Sequence, residues 1–165
     1  MPKSAVEIYE DLRVPVGEKD IAFRPVVLNA DRSKAIFVPH IRKDAAVRRL
    51  NEVLGPNWSC TFRSSNDPAM PGVFCQLSLL IGDQWISREG ADYAPTPWSS
   101  QQLMPDLVLS ASCDLAFITA AQLAGIGGEL DGLFTDWIDL DDSLQPQQYL
   151  SLAKTRRRSQ PQPIA

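Results

Sequence analysis

The segment from Asp106 to Ile126 constrains the fold most. Leu107, Val108, Leu109, Leu115, Phe117, Ile118, Leu123 and several alanines fill it, and its length is that of a helix. Ser110, Ser112, Asp114, Thr119 and Gln122 interrupt it without gathering on one face. A helix that is apolar nearly all round has no side to give to water. It therefore has to be buried by more than one sheet, which points to a subunit interface. The same polar residues are costly in lipid and argue against a membrane span. Gly125-Ile126-Gly127-Gly128 follows this helix rather than a strand, the wrong context for a dinucleotide loop, and reads as helix termination.

The residues that cover such a helix lie upstream. Val73, Cys75, Leu77, Leu79 and Ile81 stand at every second position and define one face of a strand. Trp58, Cys60 and Phe62 alternate in the same way before it, across a Pro- and Gly-containing hairpin loop at Ser65–Gly72. Gly82-Asp83 is a tight turn into a third strand over Gln84–Arg88. The run predicts an antiparallel β-meander backed by the long apolar helix, an α+β fold with a β-β-β-α core. Between them Glu89–Pro105, rich in Pro, Ser and Gln, reads as a long loop. Ahead of the meander, Ser4–Leu12 has the spacing of a short helix, and Ile21–Val38 reads as two strands joined at Asn29-Ala30-Asp31-Arg32. Asp44 is expected to cap a helix that buries Val47, Leu50 and Leu54 and stops at Gly55-Pro56.

At 165 residues the chain has the size of one domain, expected over 1–144, with 145–165 a polar, basic tail that reads as disordered. Cys60, Cys75 and Cys113 are odd in number, far apart and without C-x-x-C spacing, which fits a reducing cytoplasm better than a disulfide or zinc framework. The first residues have no apolar run of signal-peptide length. The net charge of −4 hides an asymmetry. Residues 21–49 hold seven basic residues against two acids, and 129–142 hold six acids and no Lys or Arg. Lys154, Arg156, Arg157 and Arg158 form a second basic cluster. Charge runs of this kind also fit a solvated surface.

Catalytic chemistry has little to build on. His40 is the single histidine and no partner can be assigned to it from sequence. Asp136, Asp139, Asp141 and Asp142 lack the glycine and terminal glutamate of a calcium loop and read as a solvated turn. No catalytic residue, metal or cofactor is expected. Trp58, Trp85, Trp98 and Trp137 read first as packing residues, although one of them can offer a face for base stacking.

Arg49-Leu50-Asn51-Glu52-Val53-Leu54-Gly55-Pro56-Asn57-Trp58 resembles the R-L-D/N-E-V-x-G-P-x-x-W signature of the Rad-fifty-two/Rad-twenty-two family of single-strand annealing proteins, in its bacterial and phage branch. That branch usually has one more residue before the tryptophan. Ile21-Ala22-Phe23-Arg24 is similar to the family's I-x-W-R opening, and Lys34-Ala35 and His40-Ile41 stand where it has K-A and Y-I. Val73–Leu79, Trp85-Ile86 and Glu89-Gly90-Ala91 are similar to its central strands and acidic-glycine segment. Leu115–Gly127 resembles D-S-F-K-R-A-A-x-x-W-G-I-G. The resemblance runs from about Ile21 to Leu140 in the family's order.

The resemblance implies a β-β-β-α core assembled into a homo-oligomeric ring, with single-stranded DNA in a basic outer groove and bases left free for pairing. It implies annealing of complementary strands in recombination or repair, with no covalent step. Four positions depart from the pattern: Ile118 and Thr119 replace the family's K-R, Gly128 replaces the arginine after G-I-G, and Asp44 replaces an arginine at the signature helix. The DNA contacts are therefore expected at Arg42, Lys43, Arg48, Arg63 and Arg88, with help from the basic tail. The alternative reading is an oligomeric scaffold or protein-interaction module of the same fold that has lost annealing, favoured by the loss of the basic pair.

Overall fold

The alternation that begins at Val73 builds the strand on which the larger part of the fold is laid. The structure, a computed structural model, describes residues 3–65, 72–93 and 105–140. In chain order its elements are α1 (Ala5–Leu12), β1 (Ile21–Leu28), β2 (Lys34–Ile41), α2 (Lys43–Leu54), β3 (Trp58–Ser64), β4 (Gly72–Ile81), β5 (Gln84–Tyr93), α3 (Pro105–Leu123) and β6 (Ile138–Asp139). Single 3-10 turns stand at Glu18–Asp20 and Gly128–Leu130. This is an α+β fold of antiparallel sheets and, among the described residues, three α-helices. Two compact units are formed, one from residues 3–16 and 41–129, the other from 17–40 and 130–140.

In the first unit the strand order is β3-β4-β5. Trp58 pairs with Leu79, Cys60 with Leu77 and Phe62 with Cys75; on the other side Ile86 pairs with Leu79 and Gly90 with Cys75. Directly paired residues share a face, so one face gathers Val73, Cys75, Leu77, Leu79 and Ile81, all at most 5% exposed. The opposite face carries Ser59, Ser78 and Ser87 in one row across the three strands, with Thr61, Gln76 and Glu89 in the next. α3 lies across the apolar face, against β4 and β5. Its Ala116, Phe117, Ala120 and Ala121 are buried there, joined by Leu50 and Leu54 of α2 and Ile8 and Leu12 of α1. Within this unit, α3 is covered by one sheet and two helices.

Gly90 sets the distance between sheet and helix. A Cβ at this position would stand 2.2 Å from the Ala116 carbonyl oxygen and 2.3 Å from the Ala120 nitrogen. The strand backbone therefore rests directly on the helix backbone, and only glycine fits. β5 accordingly runs to Tyr93, five residues past the expected end at Arg88, because β4 offers pairing partners all the way to Gly72↔Tyr93. The rest of the expected loop, the hairpin loop after Ser65 and the expected disordered segment beyond 144 lie outside the described residues.

The helix ends follow local chemistry. α1 is capped by Ser4, not begun by it: Ser4 and Glu7 form a reciprocal capping box. α2 starts at Lys43 with Arg42 in the N-cap position, so Asp44 is in the first turn and not the cap. There its carboxylate still favours the positive end of the helix dipole. α3 closes in a Schellman motif three residues before the expected end: Ile126 N donates to Ala121 O at 3.0 Å and Gly125 N to Gln122 O at 2.9 Å, with Gly125 at φ +107. Ile126 is fully buried.

The second unit orders its strands β1-β2-β6. Ala35, Phe37 and Ile138 form a buried apolar cluster in it, with Phe23, Leu28 and Leu140 packed against them. The turn at Asn29–Arg32 is held by the Asp31 carboxylate, which accepts from the backbone N and the hydroxyl of Ser33. Thr135, fully buried, accepts from Phe37 N at 2.9 Å through its hydroxyl.

The strand-to-helix contact makes a sharp prediction. Gly90→Ala should lower the urea midpoint by an amount equivalent to about 3 kcal/mol, because neither backbone can yield to the new methyl. Gly128→Ala, where an added Cβ meets nothing within 4 Å, should move the midpoint by less than about 0.5 kcal/mol. Equal effects would mean that the close approach is absent.

Candidate nucleic-acid interface

Three of the five cations expected at the interface come from the start of α2. Ala45, Ala46, Leu50 and Leu54 turn one side of this helix into the core, and the helical period then leaves Lys43, Asp44, Arg48, Asn51 and Glu52 outward. With Val47 they line an open depression of about 630 Å³. Each cation is already engaged. Arg42 Nε donates to Asp44 Oδ1 at 3.1 Å, a hydrogen bond that holds the Asp44 carboxyl below its ordinary range. Lys43 Nζ donates to Asp114 Oδ1 of α3 at 2.5 Å. Arg48 is exposed and also interacts within the chain.

The other two expected residues come from the sheet and belong to opposite faces of it. Arg63 pairs in register with Phe74 and Arg88 with Leu77, and successive residues of β4 point to opposite faces. Arg63 therefore belongs to the open face of the sheet. Its guanidinium carbon is 4.1 Å from the Phe74 ring centroid, and its Nη2 donates to both Glu89 carboxylate oxygens at 3.0 Å. Arg88 belongs to the helix-covered face, half-buried, and donates to Ser87 O at 3.0 Å. Trp85 stands on the open face at 59% exposure, whereas Trp58 is half-buried with its ring 6.3 Å from Phe117. In the second unit Trp137 is 46% exposed; Trp98 lies outside the described residues.

The signature segment makes a joint between helix and strand. Arg49 Nη1 donates to the carbonyls of Asp11 at 3.0 Å and Val14 at 2.8 Å, tying the end of α1 to α2. Asn51 Oδ1 accepts from the Trp58 indole N at 2.9 Å. Gly55 takes φ +58, Asn57 N donates to Leu54 O, and Leu80 N donates to Asn57 O, which seats the turn against β4. Glu129 accepts from Val16 N at 2.7 Å, a tether that sequence reasoning missed because 113 residues separate the two. Ile118, where the resembled pattern has lysine, is 5% exposed, and Thr119 donates its hydroxyl to Leu115 O at 2.9 Å. Neither presents a polar group to a ligand.

Cys60 and Cys75 share the covered face of the sheet. Burial, reinforced by the neighbouring thiols, pushes Cys75 up to about 12, and burial raises Cys60 as well. Among the described residues no three His, Cys, Asp or Glu side chains gather in a metal-holding group. Of the acidic turn, Asp139 pairs with Lys34 at 3.4 Å, and Asp141 and Asp142 lie outside the described residues. No helix among the described residues is long and apolar enough to cross a membrane.

Comparison with known proteins adds a further observation. The chain is similar to single-stranded DNA-binding protein DdrA. To the protein of that name from Deinococcus radiodurans it is 25% identical over 144 residues, 87% of this chain and 64% of the relative. To that from Deinococcus deserti it is 28% identical over 138 residues, 83% of this chain and 63% of the relative. The chain thus spans somewhat less than two thirds of the length of these relatives. No family model matches it, and no solved structure matches it significantly.

Two outcomes follow from the geometry. Arg49→Ala should cost about 2 kcal/mol in chemical denaturation, the worth of charge-assisted hydrogen bonds to two carbonyls; unchanged stability with weakened DNA binding would make Arg49 a ligand contact instead. The raised Cys75 pKa leaves little thiolate near pH 8, so mass spectrometry after iodoacetamide should find Cys75 unmodified in the folded chain and alkylated once it is unfolded.

Proposed function

We propose that this chain binds single-stranded DNA and promotes annealing of complementary strands, as a homo-oligomeric ring and without covalent chemistry. The observation that carries the proposal is the similarity to the two DdrA proteins across more than four fifths of the chain. The fold supports it: a three-stranded antiparallel sheet backed by one apolar helix, joined through the signature helix to a cationic turn at Arg42 and Lys43. In this reading cations hold phosphates while bases remain open to pairing. Because Arg63 and Arg88 sit on opposite faces of the sheet, a continuous track requires patches contributed by neighbouring copies. The setting is recombination or repair of DNA in the cytoplasm.

A second reading is favoured by a specific observation. Arg42, Lys43 and Arg63 are each paired with a carboxylate, and the basic pair of the resembled family is replaced by a buried isoleucine and a self-bonded threonine. Such a chain suits a scaffold that keeps the fold and its assembly but not the annealing.

Fluorescence anisotropy with labelled single-stranded and duplex oligonucleotides at about 50 and about 200 mM salt separates the two. The annealing reading expects preference for single strands, loss of affinity with salt, and faster pairing of complementary oligonucleotides. No binding to single strands at the lower salt, with an oligomer intact by light scattering, would leave the scaffold.

A further inference from the structure

The two units treat their positive charges differently. Among the described residues of the first unit every Lys and Arg is engaged: in four ion pairs with carboxylates, by backbone carbonyls at Arg49 and Arg88, and by the Tyr9 ring at Arg13. Arg48 interacts within the chain as well. A phosphate approaching one of these ion pairs gains little from it, because the pair as a whole is neutral. In the second unit Lys34 faces Asp139 at 3.4 Å, but the side chains of Lys19, Arg24 and Arg32 make no ion pair or hydrogen bond among the described residues. Lys19 stands between Glu18 and Asp20, which cancel its charge. Arg24 and Arg32 remain.

Both belong to one hairpin, Arg24 to β1 and Arg32 to the turn that leads into β2. Residues 21–41 hold three Lys or Arg and one acid, a net +2, and that acid, Asp31, is committed to the backbone N and hydroxyl of Ser33. Arg32 is exposed and takes φ +59, the left-handed region that glycine or asparagine enters at least cost. An arginine at this position costs the turn stability, which points to a use for its charge. Arg24 lies four residues before the end of β1 at Leu28, about 13 Å along the strand. Between the two arginines Val26 and Val27 are exposed at 36% and 46%. β1 is the outer strand of its sheet, and Pro25 suits such an edge. Two cations so spaced, with apolar surface between them, suit separate phosphates of an extended chain rather than one small anion.

We propose that Arg24 and Arg32 hold backbone phosphates of single-stranded DNA, which makes the hairpin of β1 and β2 a ligand-binding element. This inference rests on the reading of the chain as a single-stranded DNA binder and changes which residues hold the ligand. The recognition is independent of base sequence and weakens with salt, because each phosphate contact releases condensed counterions.

The test titrates the full chain against an oligo-dT probe across a series of salt concentrations. For single strands each neutralised phosphate contributes about 0.7 to the slope of log affinity against log salt, so Arg24→Gln/Arg32→Gly should lose about 1.4 from that slope. Lys3→Gln/Arg13→Gln removes the same amount of charge at the two ends of α1 and should keep the natural slope. Arg32→Gly alone should lose about half as much as the double variant, while its urea midpoint holds or rises, because glycine relieves the left-handed position. A residue that served only the turn would not weaken binding when the turn is relieved. Circular dichroism and light scattering establish that the variants keep the fold and the assembly. An unchanged slope in the hairpin variants, or an equal loss in the α1 variant, overturns the inference while leaving single-stranded DNA binding intact. Absence of binding by the natural chain at the lowest salt overturns the functional reading itself, and the inference with it.

Discussion

The contact on which the larger unit depends is backbone against backbone, where Gly90 of β5 lies on Ala116 and Ala120 of α3. Helices ordinarily stand off a sheet by the thickness of two side-chain layers. Here the small residues Ala116, Ala120 and Ala121 on the helix and Gly90 on the strand remove much of that thickness along one line. The larger side chains, Phe117 and Ile118 from the helix and Leu77 and Leu79 from β4, then fill the flanks at near-zero exposure. With the helix seated so closely, Asp114 is held two residues before the start of the contact, and from there it receives Lys43. The place of α3 therefore also fixes the direction of the first turn of α2, where the candidate interface begins.

Much of this unit is legible from local pattern, and what escapes is what depends on a distant partner. Alternation from Val73 to Ile81 names the covered face of β4 correctly, since strand period and burial are the same fact read twice. Gly125 and Gly127 mark the end of α3 because positive φ is a local demand, and both residues adopt it. β5 is different. Residues 89–93, Glu-Gly-Ala-Asp-Tyr, have little β-propensity and lead into a Pro- and Ser-rich stretch, so the sequence alone favours a loop. Ten residues of β4 outweigh that preference by offering a complete ladder. The first turn of α2 shows the same limit in miniature: Asp44 has the chemistry of a cap, yet the helix starts one residue earlier and the carboxylate serves Arg42 instead.

For the candidate site, the sequence identifies charged residue types but not their company. Lys43 and Asp114 are 71 positions apart, and Arg63 and Glu89 are 26 apart. No pattern along the chain announces that these charges cancel. Register alone separates Arg63 from Arg88, since the two fall opposite Phe74 and Leu77. The signature segment teaches a related lesson. Arg49, Asn51, Gly55 and Trp58 carry the resemblance, and in the structure Arg49 bonds to Asp11 and Val14, Asn51 to Trp58, and Gly55 turns the chain into β3. Similarity in that segment is therefore evidence about the joint between helix and sheet before it is evidence about what is bound.

On the proposed reading, that distinction bears on how a chain of net −4 would engage a polyanion. Long-range attraction is set by the sum of charges within a Debye length, about 8 Å at physiological salt, not by the number of arginines. Around Arg63 that sum includes Glu89, and around Lys43 it includes Asp114 and Asp44, so the folded surface near these residues exerts little pull. Assembly into a ring does not change this by itself, because each copy brings its carboxylates along with its cations. What a ring adds is repetition: a weak contact per subunit multiplied along one strand, with the second contact already local once the first is made. On the proposed reading, repetition around the ring holds the strand once it has arrived.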